Sequence, residues 1–163
     1  MRVLATALVA FLPLAAQAED CRDVAEGVDF CAGDTAFVDV EPVLNTDTAQ
    51  EVFTSESGIT LTFDRLPGFA ARNWDGTNEG AFRIAETLIG GFEGLAPEVD
   101  YPEGRIAASV DYQIMTQLQA LVTVTEVGDH VAVIQTTEAT DGLTPEHLAA
   151  HEAVLAALQE DVR

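Results

Sequence analysis

The chain has 163 residues, 48% hydrophobic and 21% charged, which suits one domain with a true core and excludes a multidomain enzyme. Its 28 Asp and Glu stand against seven Arg and no Lys, for a formal charge of −21. That balance argues against binding a phosphate backbone or an anionic lipid surface, so neither nucleic acid nor membrane is expected as a partner.

Residues 1–18 read as a removable export signal. Arg2 supplies the positive start, Val3 to Leu14 is apolar, and Ala16-Gln17-Ala18 is a small-x-small cleavage site. The expected organisation is therefore a leader of residues 1–18, cleaved after Ala18, and a single domain over 19–163, destined for the periplasm or secretion. The apolar run falls short of the roughly 20 residues that span a bilayer, and no second run follows, so no membrane insertion is expected. Cys21 lies near the cleavage site, but Glu19 and Asp20 before it do not suit a lipid-attachment motif. Cleavage would leave six arginines against the 28 acids, so the acidity belongs to the domain. The acids are scattered rather than clustered, as on a well-solvated surface.

Cys21 and Cys31 are the two cysteines, ten positions apart, in a compartment where disulfides persist. Pairing would contribute about 2 to 3 kcal/mol by restricting the unfolded chain. A redox pair would need Cys-x-x-Cys, and a metal centre more thiolates than two.

Taken in order, Val28–Phe30 and Ala36–Val40 lean towards short strands, and Pro42 ends the second. Asn45–Thr48 reads as a turn. Glu51–Thr54 and Ile59–Phe63 follow as a hairpin joined at Ser57-Gly58. Asn73-Trp74-Asp75-Gly76 is turn-like and leads into a helix from Thr77, where Ala81, Phe82, Ile84, Ala85, Leu88, Ile89 and Phe92 make one apolar stripe that stops at Gly90-Gly91. Ala96 to Gly104 reads as a loop. The clearest strands come next: Ile106–Ile114 and Leu118–Thr125 alternate around a loop at Met115–Gln117, which sets Ile114 opposite Leu118 and Val110 opposite Val122. Gly128-Asp129 turns the chain into a third strand, His130–Thr137, with Val131 opposite Glu126 and Val133 opposite Val124. Thr144 as N-cap, Pro145 at the first helical position and Glu146 in the first turn start a last helix, whose expected buried stripe is Leu148, Val154, Leu155 and Leu158. The fold class is thus α+β: an antiparallel sheet of about five to six strands with a C-terminal three-stranded meander, flanked by two main helices.

This order of elements resembles the PsbP, Mog1 and DcrB-like superfamily. The resemblance is carried by Gly27-Val28-Asp29-Phe30-Cys31 as opening strand, the helix of Thr77 to Phe92, the hairpin Leu118–Thr137 with its Val-Gly-Asp-His-Val-Ala-Val-Ile-Gln core, and Thr144-Pro145-Glu146. It implies an antiparallel sheet flanked by helices and a non-catalytic accessory or assembly role, with no catalytic residues to carry over. This chain departs from it in lacking a lipid-anchor cysteine and in its cysteine pair.

No residue pattern spells out a reaction. After the leader there are three serines, Ser55, Ser57 and Ser109, none in a Gly-x-Ser-x-Gly elbow, and no Gly-rich phosphate loop. His147 and His151, four apart on the last helix, share a face and could chelate a divalent metal, with His130 the one other imidazole to hand. His-Leu-Ala-Ala-His lacks the general base of a metalloprotease, and boundary histidines packing on the sheet explain the same spacing. Asp75-Gly-Thr77-Asn78-Glu79-Gly80 has the oxygens of a calcium loop but not its register, and a capped helix start accounts for it. Trp74, with Asp75, could face a partner or plug the core. The leading expectation is an exported, non-enzymatic binding or assembly accessory without cofactor, holding a protein partner of cationic surface. The alternatives are a divalent-metal protein or small metal-dependent enzyme on His147 and His151, and a small apolar-ligand carrier with its cavity between helix and sheet.

Overall fold

Strands β1 (Cys21–Ala25) and β2 (Val28–Cys31) form a tight hairpin whose register sets Cys21 directly opposite Cys31, and the two sulfurs are bonded. This is a computed structural model, and it describes residues 21–47, 49–63, 72–89, 98–100, 107–115 and 118–161. The strand β10 (Leu158–Glu160) pairs with the free side of β2, placing Leu158 opposite Phe30, and completes a three-stranded antiparallel sheet.

The larger sheet has seven antiparallel strands: β3 (Val43–Asn45), β4 (Gln50–Thr54), β5 (Thr60–Phe63), β6 (Glu98–Asp100), β7 (Ala107–Met115), β8 (Leu118–Val127) and β9 (His130–Glu138), in the spatial order β3-β4-β5-β9-β8-β7-β6. Register is continuous across it: Val43, Val52, Thr62, Gln135, Val122, Val110 and Val99 pair in turn from one edge to the other. The meander follows the alternation of its sequence. Val110 pairs with Val122, Val124 with Val133 and Glu126 with Val131, but Met115 belongs to β7 rather than to a loop, and an irregularity between Gln113 and Met115 brings it, instead of Ile114, opposite Leu118. Gly128, at φ 59, supplies the left-handed residue that so short a turn requires.

Each face of this sheet is covered. Helix α1 (Asn78–Ile89) lays Ala81, Ile84 and Ala85 on Ala120, Val122, Val124 and Val133, with Trp74 and Phe82 at the margin. Helix α2 (Pro145–Ala156) and the small sheet cover the other face, where Val28, Phe30, Phe37, Phe53, Leu61, Phe63, Ile134, Val154 and Leu155 form the main core. At its centre Phe30 meets Phe53 and Phe63 at ring-centroid distances of 6.0 and 5.3 Å, so the small sheet is held down by aromatic contact. Arg22 adds a polar seam, reaching Glu41 and Glu51 while its guanidinium lies over the Phe53 ring.

The α+β class stands, but the described residues hold ten strands in two sheets rather than five or six in one. The extra ones, β1, β3, β6 and β10, are three to five residues long, too short to show a period before their partners are known. Ala36–Val40 is no strand. Thr35 Oγ1 donates to the Ala32 carbonyl and accepts from the Phe37 amide, Val38 and Val40 amides close further turns, and Asp39 has a φ of 59, so the segment coils to drive Phe37 into the core. Within the expected loop from Ala96 to Gly104, residues 98–100 pair with β7. Leu158 belongs to β10 instead of the last helix, and Leu148 is 44% exposed, so neither joins the helical stripe. Gly90, Gly91, Phe92, Ile106, Thr116 and Gln117 lie outside the described residues.

Candidate functional site

Helix α2 begins as its sequence demands. Thr144 takes the extended N-cap conformation, its hydroxyl accepts from the His147 amide at 3.0 Å, and Pro145 occupies the first turn where no donor is lost. The same hydroxyl donates to Glu138 Oε2 at 2.6 Å, tying the helix start to the end of β9. This fixes which helical face meets the sheet: His147, Ala150, His151, Val154 and Leu155.

His147 and His151 are consequently interior, 0% and 1% exposed, rather than at a boundary. Beneath them the sheet presents Thr136 of β9 and Thr123 of β8, both fully buried. Thr136 Oγ1 lies 2.8 Å from His147 Nε2 and 2.8 Å from His151 Nδ1, and Thr123 Oγ1 lies 2.7 Å from His151 Nε2. The remaining ring nitrogen, His147 Nδ1, faces Glu138 Oε2 at 3.8 Å. Three imidazole nitrogens thus engage threonine hydroxyls, which compensates the burial of these polar rings. A metal at either nitrogen of His151, or at His147 Nε2, would have to displace a threonine.

His130 does not join the pair. It opens β9, six residues and about 20 Å of strand from Thr136. Its ring lies over Gly27, where a Cβ would collide with it. Among the described residues no group of three or more His, Cys, Asp or Glu side chains is arranged to hold a metal ion. The space between α2 and the sheet, where an apolar-ligand carrier would need its cavity, holds the histidine–threonine network together with Val154 and Leu155.

Asp75 acts at the start of α1. Its Oδ1 accepts from the hydroxyl of Thr77 at 2.6 Å and from the Thr77 amide at 3.1 Å, and its Oδ2 from Arg83; Thr77 Oγ1 in turn accepts from the Gly80 amide. The Thr77 hydrogen bond, aided by Arg83, holds the Asp75 carboxyl below the usual carboxylate range although burial opposes it. Trp74 is half-buried against the α1 core.

The threonine partners are what sequence reasoning missed. Thr123 and Thr136 stand at strand positions that read as ordinary alternation, and only the pairing of β8 with β9 beneath α2 brings them under the two rings. The exposed apolar residues Val43 and Leu44 of β3 were missed also, since three residues carry no periodicity.

No helix among the described residues is long and apolar enough to cross a membrane. No family model and no curated protein matches the sequence. Among solved structures the chain is similar to the solution structure of cyanobacterial PsbP (CyanoP) from Synechocystis sp. PCC 6803, with 11% identity, 83% of this chain and 88% of that chain covered, and a TM-score of 0.49. No residue role passes to this chain from that likeness.

Proposed function

We propose that this is an exported, non-catalytic accessory or assembly protein that holds a protein partner of cationic surface. The observation that carries the reading is how charge is distributed. Seven arginines face 28 acids with no lysine, and Arg22 and Arg83 both engage carboxylates of their own chain, Glu41 with Glu51 and Asp75 respectively. The excess of negative charge is left to the solvent or to a partner, and fields of this kind steer oppositely charged proteins into contact. The leader-like residues 1–18 and the Cys21–Cys31 disulfide support an oxidising compartment outside the cytoplasm. The histidines support the non-catalytic part of the reading, since their nitrogens serve a buried hydrogen-bond network.

The test is to express the chain with its own leader, sequence the N-terminus of the exported form, and cross-link intact cells before mass spectrometry. Expected are a mature N-terminus at Glu19 and cross-linked proteins of basic net charge whose binding to the purified domain weakens steeply with salt. Retention of the leader in a cytoplasmic product, partners that bind equally at high salt, or a stoichiometric divalent metal on the purified protein would overturn it.

A further inference from the structure

We propose that β3 is the docking edge of this protein, and that its ligand is an extended segment of the partner in which Lys or Arg alternates with apolar residues. The inference rests on the cationic-partner reading and assigns it a place and a mode of contact. β3 is the terminal strand of the seven-stranded sheet, paired with β4 along one side. All three of its residues are exposed, Val43 by 72% and Leu44 by 59%, and Val38 nearby is 47% exposed. Val43 and Leu44 point to opposite faces of the sheet, and among the described residues no strand pairs with the outer edge of β3. The helices stop short of it, α1 packing on β7 and β8 and α2 on β9, while the small sheet reaches as far as β4 through Phe30 on Phe53 and Arg22 on Glu51. Edges of this kind are blunted by shortness, a charge, a proline or a bulge within the strand, because their free backbone groups are a template for another chain, and β3, at three residues, has the first of these. Pro42 only precedes this one, and the strand itself carries neither charge nor proline.

The two faces beside β3 differ, and the difference specifies the occupant. On the α1 side Val43 continues into Val52, an apolar pair. On the other side Leu44 pairs with Glu51, which with Glu41 lies within 4 Å of the shared Arg22 guanidinium. Asp39, Glu41 and Asp47 are exposed around the strand. An added strand would therefore set its apolar positions beside Val43 and its alternate, cationic positions beside the carboxylates, a pattern of period two that matches strand addition. A second copy of this chain is the wrong occupant, since pairing β3 with β3 would bring these acids against their own kind in a chain of charge −21.

The probe is a fluorescein-labelled peptide of alternating lysine and valine, four of each, titrated by anisotropy at low and high NaCl, with amide hydrogen exchange of the full mature chain read alongside. A second peptide of equal charge has its two central valines replaced by proline, which cannot pair as a strand. Expected are salt-sensitive binding of the first peptide, slowed exchange at Val43–Asn45, binding by the proline peptide at least tenfold weaker, and a tenfold or greater loss in Val43→Glu even though that change adds a negative charge. Equal binding of the two peptides, unchanged or tighter binding by Val43→Glu, or protection only elsewhere would overturn the edge while leaving the cationic-partner reading standing. Protection of Val43–Asn45 that grows with protein concentration without peptide would replace the proposed ligand by a second copy. Binding of neither peptide even at low salt would overturn both readings.

Discussion

His147 and His151, one turn apart on α2, share a single hydrogen-bond partner, the hydroxyl of Thr136, at 2.8 Å from each ring. A hydroxyl has one proton to give, so if Thr136 donates to one ring it must accept from the other, and the tautomers of the two histidines are coupled. Thr136 is thus the keystone by which α2 is seated on β9. Thr136→Val should leave two buried ring nitrogens facing a methyl group and cost about 2 to 5 kcal/mol, whereas Thr123→Val strands one nitrogen and should cost about 1 to 3. Urea unfolding of both variants checks the order. A Thr136 variant no weaker than the Thr123 variant would mean that the shared hydroxyl is not what seats the helix.

The seating of α2 makes a second expectation. Leu148 stands 44% exposed while Leu155 is 5% exposed in the main core. Leu155→Ala should therefore cost about 2 to 5 kcal/mol and Leu148→Ala stay within about 0.5. Comparable losses from the two, read by the same urea unfolding, would restore the leucine stripe that the sequence suggests.

A third concerns the join between the two sheets at the tips of their hairpins. Gly27 has φ 73, and the His130 ring fills the place of its missing Cβ. Gly58, at φ 88, has nothing within 4 Å of that place. Gly58→Ala should incur the left-handed backbone cost alone, about 1 to 2 kcal/mol, and Gly27→Ala more. His130→Ala should relieve part of the excess in the double variant with Gly27→Ala, and thermal unfolding of this cycle measures the coupling. Simple additivity would show that the ring swings away freely.

The fourth is a pH dependence. The Asp75 carboxyl is held below 3.8, chiefly by the Thr77 hydrogen bond, so folding favours its ionised form. Its contribution is then complete above the ordinary carboxylate range and is lost as pH falls through the lowered value. Carbon NMR titration of the side chain should find a midpoint below 3.8 that rises in Thr77→Val more than in Arg83→Ala. The reverse order would make the guanidinium the principal cause.

Long alternating runs carry their pairing in the sequence. In β8 and β9 a one-residue slip would exchange the residues under α1 for those under α2, and the alternation of the long runs is legible enough to set Val110 against Val122 and Val124 against Val133. Caps are legible for a similar reason: Thr144, Pro145 and the Asp75–Thr77 turn act on backbone groups within three residues of themselves. The cysteine pair of β1 and β2 is the one that count, spacing and the leader-like residues 1–18 lead us to expect.

Tertiary structure alone decided the rest. Short strands such as β3 and β10 exist because a neighbour completes their hydrogen bonds, and three residues hold no pattern of their own. The inner face of α2 was decided by what lay beneath it: two polar rings went inside because Thr123 and Thr136, far from them in sequence, could satisfy them, while Leu148 was left in water. Burial of a polar group depends on a partner, and where that partner lies is a property of the folded chain rather than of the local sequence.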